Sequence, residues 1–291
     1  MEIHKIGERN LTVAFLKPFY TTTHLIFGDD RVYVCDTFLG PQSMMRISDI
    51  IRENGHQDKP VIVFNSHADW DHIWGNCYFK DSIILGHKLC KMRFEKEGKD
   101  ELNKHFEEQL GDVVLTPPNT LFGSNYFFED DAIEFFHSPG HTIDSSSCYD
   151  HKDRILFVGD NVESDLPYVN SLDFNMYIST LEGYLHLDWT HLVTGHDTVQ
   201  TDDTLVQSNL EYLRNLKEWK VNLDDLSQKG LNVHLYTLSK LVDELLKVGF
   251  ENNVKSHYHD ALMILEKREQ SETVRHYMGL YRKILDRPRS L

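Results

Sequence analysis

Residues 65–76 read NSHADWDHIWGN. His67, Asp69, Asp71 and His72 fall within six consecutive positions, first alternating and then adjacent. Imidazole nitrogens and carboxylate oxygens are donors that hold divalent cations, so the stretch reads as a metal-binding loop. Three further residues carry the same donor types: His141 in SPGHT, Asp160 in VGDN and His196 in TGHD. A glycine directly precedes each of the three. Taken singly, a loop histidine is ordinary surface polarity and an aspartate after glycine is a turn former. The coincidence of all four features is what singles them out.

Each feature follows an apolar run fit for a buried strand. PVIVF at 60–64 precedes the loop, AIEFFH at 132–137 precedes His141, RILFV at 154–158 precedes Asp160, and HLVT at 191–194 precedes His196. In open α/β architectures the loops at strand ends present the reactive groups. Glycine lets the chain turn sharply there, so that a ligand points back over the strands. Further strands are expected at 11–17, 24–27, 32–35, 81–85 and 145–149, with GDDR at 28–31 as a hairpin turn. Apolar spacing predicts a helix in PQSMMRISDIIRENG that stops at Gly55, a charged helix over 88–110 and another over 175–187. Beyond about residue 203, VQSNLEYLRNLKEWK, YTLSKLVDELLKVGF and DALMILEKREQ all show helical spacing. No linker composition separates this segment, so 203–291 is expected to pack as a helical extension on a domain formed by 1–202. The extension is further expected to set the shape of the substrate site and to offer a homodimer surface.

The 291 residues are 40% hydrophobic, enough for a sizeable core without disulfide support. The net charge of −16 argues against a broad nucleic-acid surface, which needs clustered Lys and Arg. Cys35, Cys77, Cys90 and Cys148 form no C-x-x-C pair and read as free thiols. The opening MEIHKIGERNLTVAF lacks a charged stretch followed by an apolar run, and no segment reaches about 18 apolar residues. A cytoplasmic protein with a small-molecule substrate and no membrane span is expected.

The ordered set resembles the metallo-β-lactamase fold superfamily. Members carry an Asp after an early strand, then His-x-His-x-Asp-His, a Gly-His, a Gly-Asp and a final Gly-His. Here these match Asp36 in VYVCDT, the loop at His67 to His72, then His141, Asp160 and His196. The resemblance covers residues 10–200 approximately. It implies an αββα four-layer sandwich of the α/β class, with the site at one edge between two sheets. It implies two divalent metal ions, zinc foremost and manganese or iron as alternatives. His67, Asp69 and His141 would hold one ion, Asp71, His72 and His196 the other, and Asp160 would bridge both. Asp36 would bond the ligand loop and orient it. The implied chemistry is hydrolysis of an ester, thioester, lactone or phosphodiester by hydroxide held between the ions, with Asp71 orienting the nucleophile or accepting a proton.

Asp69 departs from the pattern, because a histidine would stand there. A carboxylate also binds zinc, but its reach is shorter. It adds a negative charge, which favours harder ions and makes bound water less acidic. Flavodiiron proteins also place a carboxylate at this position, so a di-iron oxidoreductase is a second reading, and a non-catalytic metal-binding protein a third. The secreted zinc lactamases generally carry Cys where this chain has Asp160, which argues against β-lactam hydrolysis. Cys77 near the loop is a minor nucleophile candidate, and Ser145 to Ser147 read as the start of a strand. SHYHD at 256–260 reads as surface helix, since residues two apart do not share a helix face. Trp70, Tyr78 and Tyr168 are pocket candidates, and Trp74 is expected in the core.

Overall fold

The computed structural model describes residues 1–247, 251–267 and 271–286. Seven strands form the first sheet in sequence order: β1 (Glu2–Ile6), β2 (Asn10–Phe15), β3 (Thr21–Phe27), β4 (Val32–Cys35), β5 (Val61–Asn65), β6 (Ile83–His87) and β7 (Thr120–Phe122). Pairing is antiparallel from β1 to β4 and parallel from β4 to β7. The second sheet holds β8 (Asn125–Phe128), β9 (Ile133–His137), β10 (Ser146–Asp150), β11 (Ile155–Gly159) and β12 (His191–Thr194), in the order β12-β11-β10-β9-β8. Only β11 and β12 run parallel there.

Alternation along the central strands separates three apolar layers. Side chains on a strand point to opposite faces in turn, so a strand buried on both sides is apolar throughout. In β4, Tyr33 and Cys35 face the space between the sheets, whereas Val32 and Val34 face outward. In β11, Ile155 and Phe157 face inward, and Leu156 and Val158 face outward. The outer face of the first sheet is covered by helix α1 (Pro41–Glu53), the short helix α2 (Trp70–Ile73) with the 3-10 turn Trp74–Phe79, and α3 (Lys88–Lys104). Helix α1 starts with proline at its first position, buries Met44, Ile47, Ile50 and Ile51, and ends before Gly55 at φ 79°.

Helix α4 (Phe174–His186), α5 (Thr204–Lys217), α6 (Gln228–Lys247), α7 (Glu251–Leu265) and α8 (Glu272–Leu285) cover the second sheet. Leu210 and Leu213 of α5, Leu231, Leu235 and Leu238 of α6, Leu262 of α7 and Met278 of α8 share one apolar cluster with Leu156, Val158 and Leu192. The result is the αββα sandwich. On α7, His259 and Asp260 are exposed and Tyr258 is buried, donating its hydroxyl to Leu238 O at 2.6 Å. The side chain of His257 in that SHYHD motif lies outside the described residues. Among the described residues, no helix is long and apolar enough to cross a membrane.

Three strands escape the sequence pattern: β1, β7 and β8. All lie at sheet edges. Four of the five β1 side chains are exposed, as are three of the four in β8. An edge strand is held by its backbone ladder more than by a buried face, so apolar alternation does not mark it. The charged helix expected over 88–110 ends earlier, at Lys104, and a 3-10 turn follows at Phe106–Glu108.

Candidate metal centre

Parallel neighbours bring the ligand loops together. Adjacent β4 and β5 deliver Asp36 and the 66–72 loop at the same sheet end. Adjacent β11 and β12 deliver Asp160 and His196. Backbone bonds stitch the two sheets at this edge: Ser146 N donates to Ser66 O at 2.8 Å, and Thr22 N to Gly195 O at 2.8 Å. The glycines before the candidates serve close approach as well as turning. A Cβ at Gly195 would overlap Asp160 Oδ1 and crowd His72, and Gly159 holds φ at 54° against Ser66.

All four histidines are oriented by an acceptor at Nδ1. His72 Nδ1 donates to Asp36 Oδ2 at 2.7 Å. Asp36 also accepts from Ser66 N at Oδ1 and from Ser66 Oγ at Oδ2, each at 2.7 Å. Because Ser66 Oγ spends its proton on Asp36, it accepts from His67 Nδ1 at 2.8 Å. His196 Nδ1 donates to Tyr20 O at 2.7 Å, and His141 Nδ1 to Tyr168 O at 3.2 Å. Each ring therefore keeps a proton on Nδ1 and turns Nε2 inward, the atom that would bind an ion. Asp36 is fully buried and sits at φ 62°, a conformation that costs about 1 kcal/mol and that its three hydrogen bonds hold in place.

The inward atoms form two sets. Asp69 Oδ2 lies 3.5 Å from His67 Nε2 and 3.3 Å from His141 Nε2. Asp71 Oδ2 lies 3.6 Å from His72 Nε2 and 3.4 Å from His196 Nε2. Asp160 stands between them, 3.2 Å from both His72 Nε2 and His196 Nε2, 3.5 Å from His67 Nε2 and 3.9 Å from His141 Nε2. Ligands about 2.0–2.2 Å from a tetrahedral zinc stand about 3.3–3.6 Å apart, so these separations lie close to the edges of such a shell, except the 3.9 Å from Asp160 to His141. His67 Nε2 and Asp160 Oδ1 are buried and lack any hydrogen-bond partner. His72 Nε2 and His196 Nε2 face each other at 3.2 Å, an arrangement that a cation between them would relieve. The residues fit a divalent ion in each set, and every ligand candidate named from the sequence is brought to this one place.

In a metal-free protein these groups must share protons. Burial is the largest influence on each imidazole and pulls its pKa down, but the facing carboxylates outweigh it. His67 and His196 are pushed up to about 10, His72 well above the ordinary value, and His141 above it. Asp69 is held well below the usual carboxylate range, because Arg93 and His67 outweigh burial. His196 and His72 do the same for Asp160. Added zinc is therefore expected to release protons, with an affinity that rises with pH up to about 10, where His67 and His196 lose the protons that compete with the ion. Calorimetry in buffers of different ionisation enthalpy measures this, and a pH-independent affinity would count against the shared-proton description.

Asp69, Asp71, His141, Asp160 and His196 line a cavity of about 860 Å³, within the usual range for small-molecule sites. Its far wall comes from α6 and α8, through Asn232, Tyr236, Lys240 and Tyr277. Tyr168 meets Tyr236 edge-on at 5.3 Å, and Lys240 Nζ lies 5.2 Å from the Tyr236 ring centre. Trp70 lines the near side, stacked on His105 at 4.1 Å, whereas Trp74 is core. Tyr78 is exposed and not part of the cavity. Cys77 donates its thiol to Trp74 O and does not reach the cavity either. Ser145 and Ser146 bond locally, to Thr142 and Asp144, Ser147 Oγ bonds to the Tyr184 hydroxyl of α4, and none of the three lines the cavity.

Sequence reasoning missed two charged residues here. Arg93 of α3 donates through Nη2 to Asp69 Oδ1, and Glu163 projects into the cavity with Oε1 lacking a partner. Burial first, and then the charge of Asp160, push the Glu163 carboxyl up to about 7. Glu163 lies three positions beyond Asp160 and was readable by proximity. Arg93 sits within an ordinary charged helix pattern and gave no such signal.

The sequence profile of the metallo-beta-lactamase superfamily matches residues 16–221. Solved structures of similar fold include the DIM-1 metallo-β-lactamase, at 17% identity and a TM-score of 0.58, with 74% of this chain and 97% of that chain covered. The metallo-β-lactamase from Hirschia baltica aligns at 14% identity and a TM-score of 0.57, covering 73% and 97%. That from Pontibacter korlensis aligns at 16% and 0.57, covering 74% and 99%. No curated protein sequence matches the chain. With the profile spanning well over half of its length and the sandwich shared with these structures, the chain belongs to the metallo-β-lactamase superfamily.

Proposed function

We propose that the protein is a cytoplasmic hydrolase dependent on two divalent metal ions, acting on an ester, thioester, lactone or phosphodiester bond of a small molecule. The observation that carries this reading is the convergence of two ligand sets on one shared carboxylate, Asp160. In it, His67, Asp69 and His141 hold one ion and Asp71, His72 and His196 the other. The mixed nitrogen and oxygen donors suit zinc, and three carboxylates also admit manganese or iron. When bound, such ions supply Lewis acidity and an acidified water. Asp71 lines the cavity, so it is placed to orient that water or take its proton. Glu163, a buried carboxyl of raised pKa, is suited to hold a proton for the leaving group. The wall from α6 and α8 sets the shape of the substrate, and no ligand candidate comes from it.

The carboxylate at position 69 also favours a second reading, a di-iron oxidoreductase served by a separate electron donor. Elemental analysis of protein purified without oxygen or chelator, followed by a hydrolase screen, separates the two. Two zinc or manganese ions per chain with turnover of an ester-type substrate is the expected result. Two irons with oxygen uptake and no hydrolysis would replace the proposal with the second reading.

A further inference from the structure

Asp69 stands where the superfamily pattern has a histidine, and its charge and short reach need an explanation. Its two oxygens have different partners. Oδ2 faces His67 Nε2 and His141 Nε2 at 3.5 and 3.3 Å. Oδ1 is taken by Arg93 Nη2. Arg93 is itself fixed on two more sides, through Nε to Glu97 Oε2 at 3.0 Å and Nη1 to Asp144 Oδ1 at 3.2 Å. The other oxygen of Asp144 accepts from Ala68 N at 2.8 Å, which is the backbone between His67 and Asp69. Asp144 is fully buried.

We propose that Arg93 is the positioning residue that makes a carboxylate at position 69 a working single-oxygen ligand, so that Arg93 and Asp69 act as a matched pair. The inference rests on the metal-centre reading above. A free carboxylate can turn or chelate an ion with both oxygens. A guanidinium bound at Oδ1 denies it both and leaves Oδ2 as the one donor. The guanidinium also returns part of the positive charge lost when aspartate replaces histidine, and so limits the shift towards harder ions. Through Asp144 it ties the ligand loop to α3, which sets how far Oδ2 reaches. A role as a substrate clamp is less well supported, because Nε, Nη1 and Nη2 are all committed to carboxylates.

A double-mutant cycle tests the pair, with zinc and cobalt(II) as the probes and stepwise affinities read by chelator competition. Arg93→Gln is expected to weaken one of the two ions about 10–100-fold, leaving the other within about threefold. Arg93→Lys, which keeps the charge but loses the fork, should lose less. In an Asp69→His background, Arg93→Gln should change neither affinity more than about threefold. The cobalt(II) visible spectrum should change with Arg93→Gln in the Asp69 protein alone. Equal losses in both backgrounds would overturn the pairing. So would intact metal affinities with a raised KM, which would make Arg93 a substrate clamp. A parent protein that binds two ions while Arg93→Gln is silent sinks only this inference, whereas a parent that binds none sinks the metal-centre reading with it.

Discussion

Asp160→Asn is expected to lower hydrolytic activity by about three orders of magnitude, or about 4 kcal/mol of barrier, and to leave less than one ion per chain. Among the described residues, Asp160 is the one carboxylate within 3.9 Å of all four inward nitrogens. Asparagine keeps its shape but removes the charge and replaces one oxygen with a donor that repels a cation. Gly195 packs against Oδ1, so the side chain has little room to find another pose. Its close contacts are to the side chains of the site itself, so the fold should survive and circular dichroism should be unchanged. Metal analysis and turnover number check the effect together. Activity within tenfold of the parent, with both ions retained, would show that the two positions do not share this carboxylate.

Asp36→Asn should act at one remove and still weaken both ions. The carboxylate never faces the cavity, and it accepts from Ser66 N, Ser66 Oγ and His72 Nδ1. An asparagine keeps one oxygen for Ser66 N but presents an amide N–H where Oδ2 was. His72 must then accept at Nδ1 and carry its proton on Nε2, where an ion would sit. Ser66 Oγ accepts the second amide hydrogen and turns its own proton towards His67 Nδ1, so His67 changes tautomer as well. Affinity for each ion is expected to fall about 10–100-fold. Stability should fall by only about 1–3 kcal/mol, the cost of disturbing one buried polar network. Nitrogen NMR of the imidazoles reads the tautomers directly. If His67 and His72 keep their protons on Nδ1 in the variant, the relay through Ser66 is wrong whatever the affinity does.

The ligand set was legible because metal chemistry constrains residue type. Few side chains bind divalent ions, and His67, Asp69, Asp71, His72, His141, Asp160 and His196 each follow a run whose apolar residues mark a strand. Short apolar runs, the mark of strands buried on both faces, pointed to β4, β5, β11 and β12, strands that carry the site. The edge strands β1, β7 and β8 were not legible, because their stability comes from backbone pairing that leaves little trace in side-chain pattern.

By itself, the sequence determined which donors exist, their order and the strand ends that carry them, since these are properties of residue type and local period. The tertiary structure alone decided who answers the charge of Asp69. Arg93 stands 24 positions away on a helix whose pattern is merely charged. It also decided that Tyr236, Lys240 and Tyr277 close the cavity, because that depends on how α6 and α8 lie across the second sheet. Long-range partners of this kind are fixed by packing geometry, and a one-dimensional pattern does not encode the distance between two side chains on different elements.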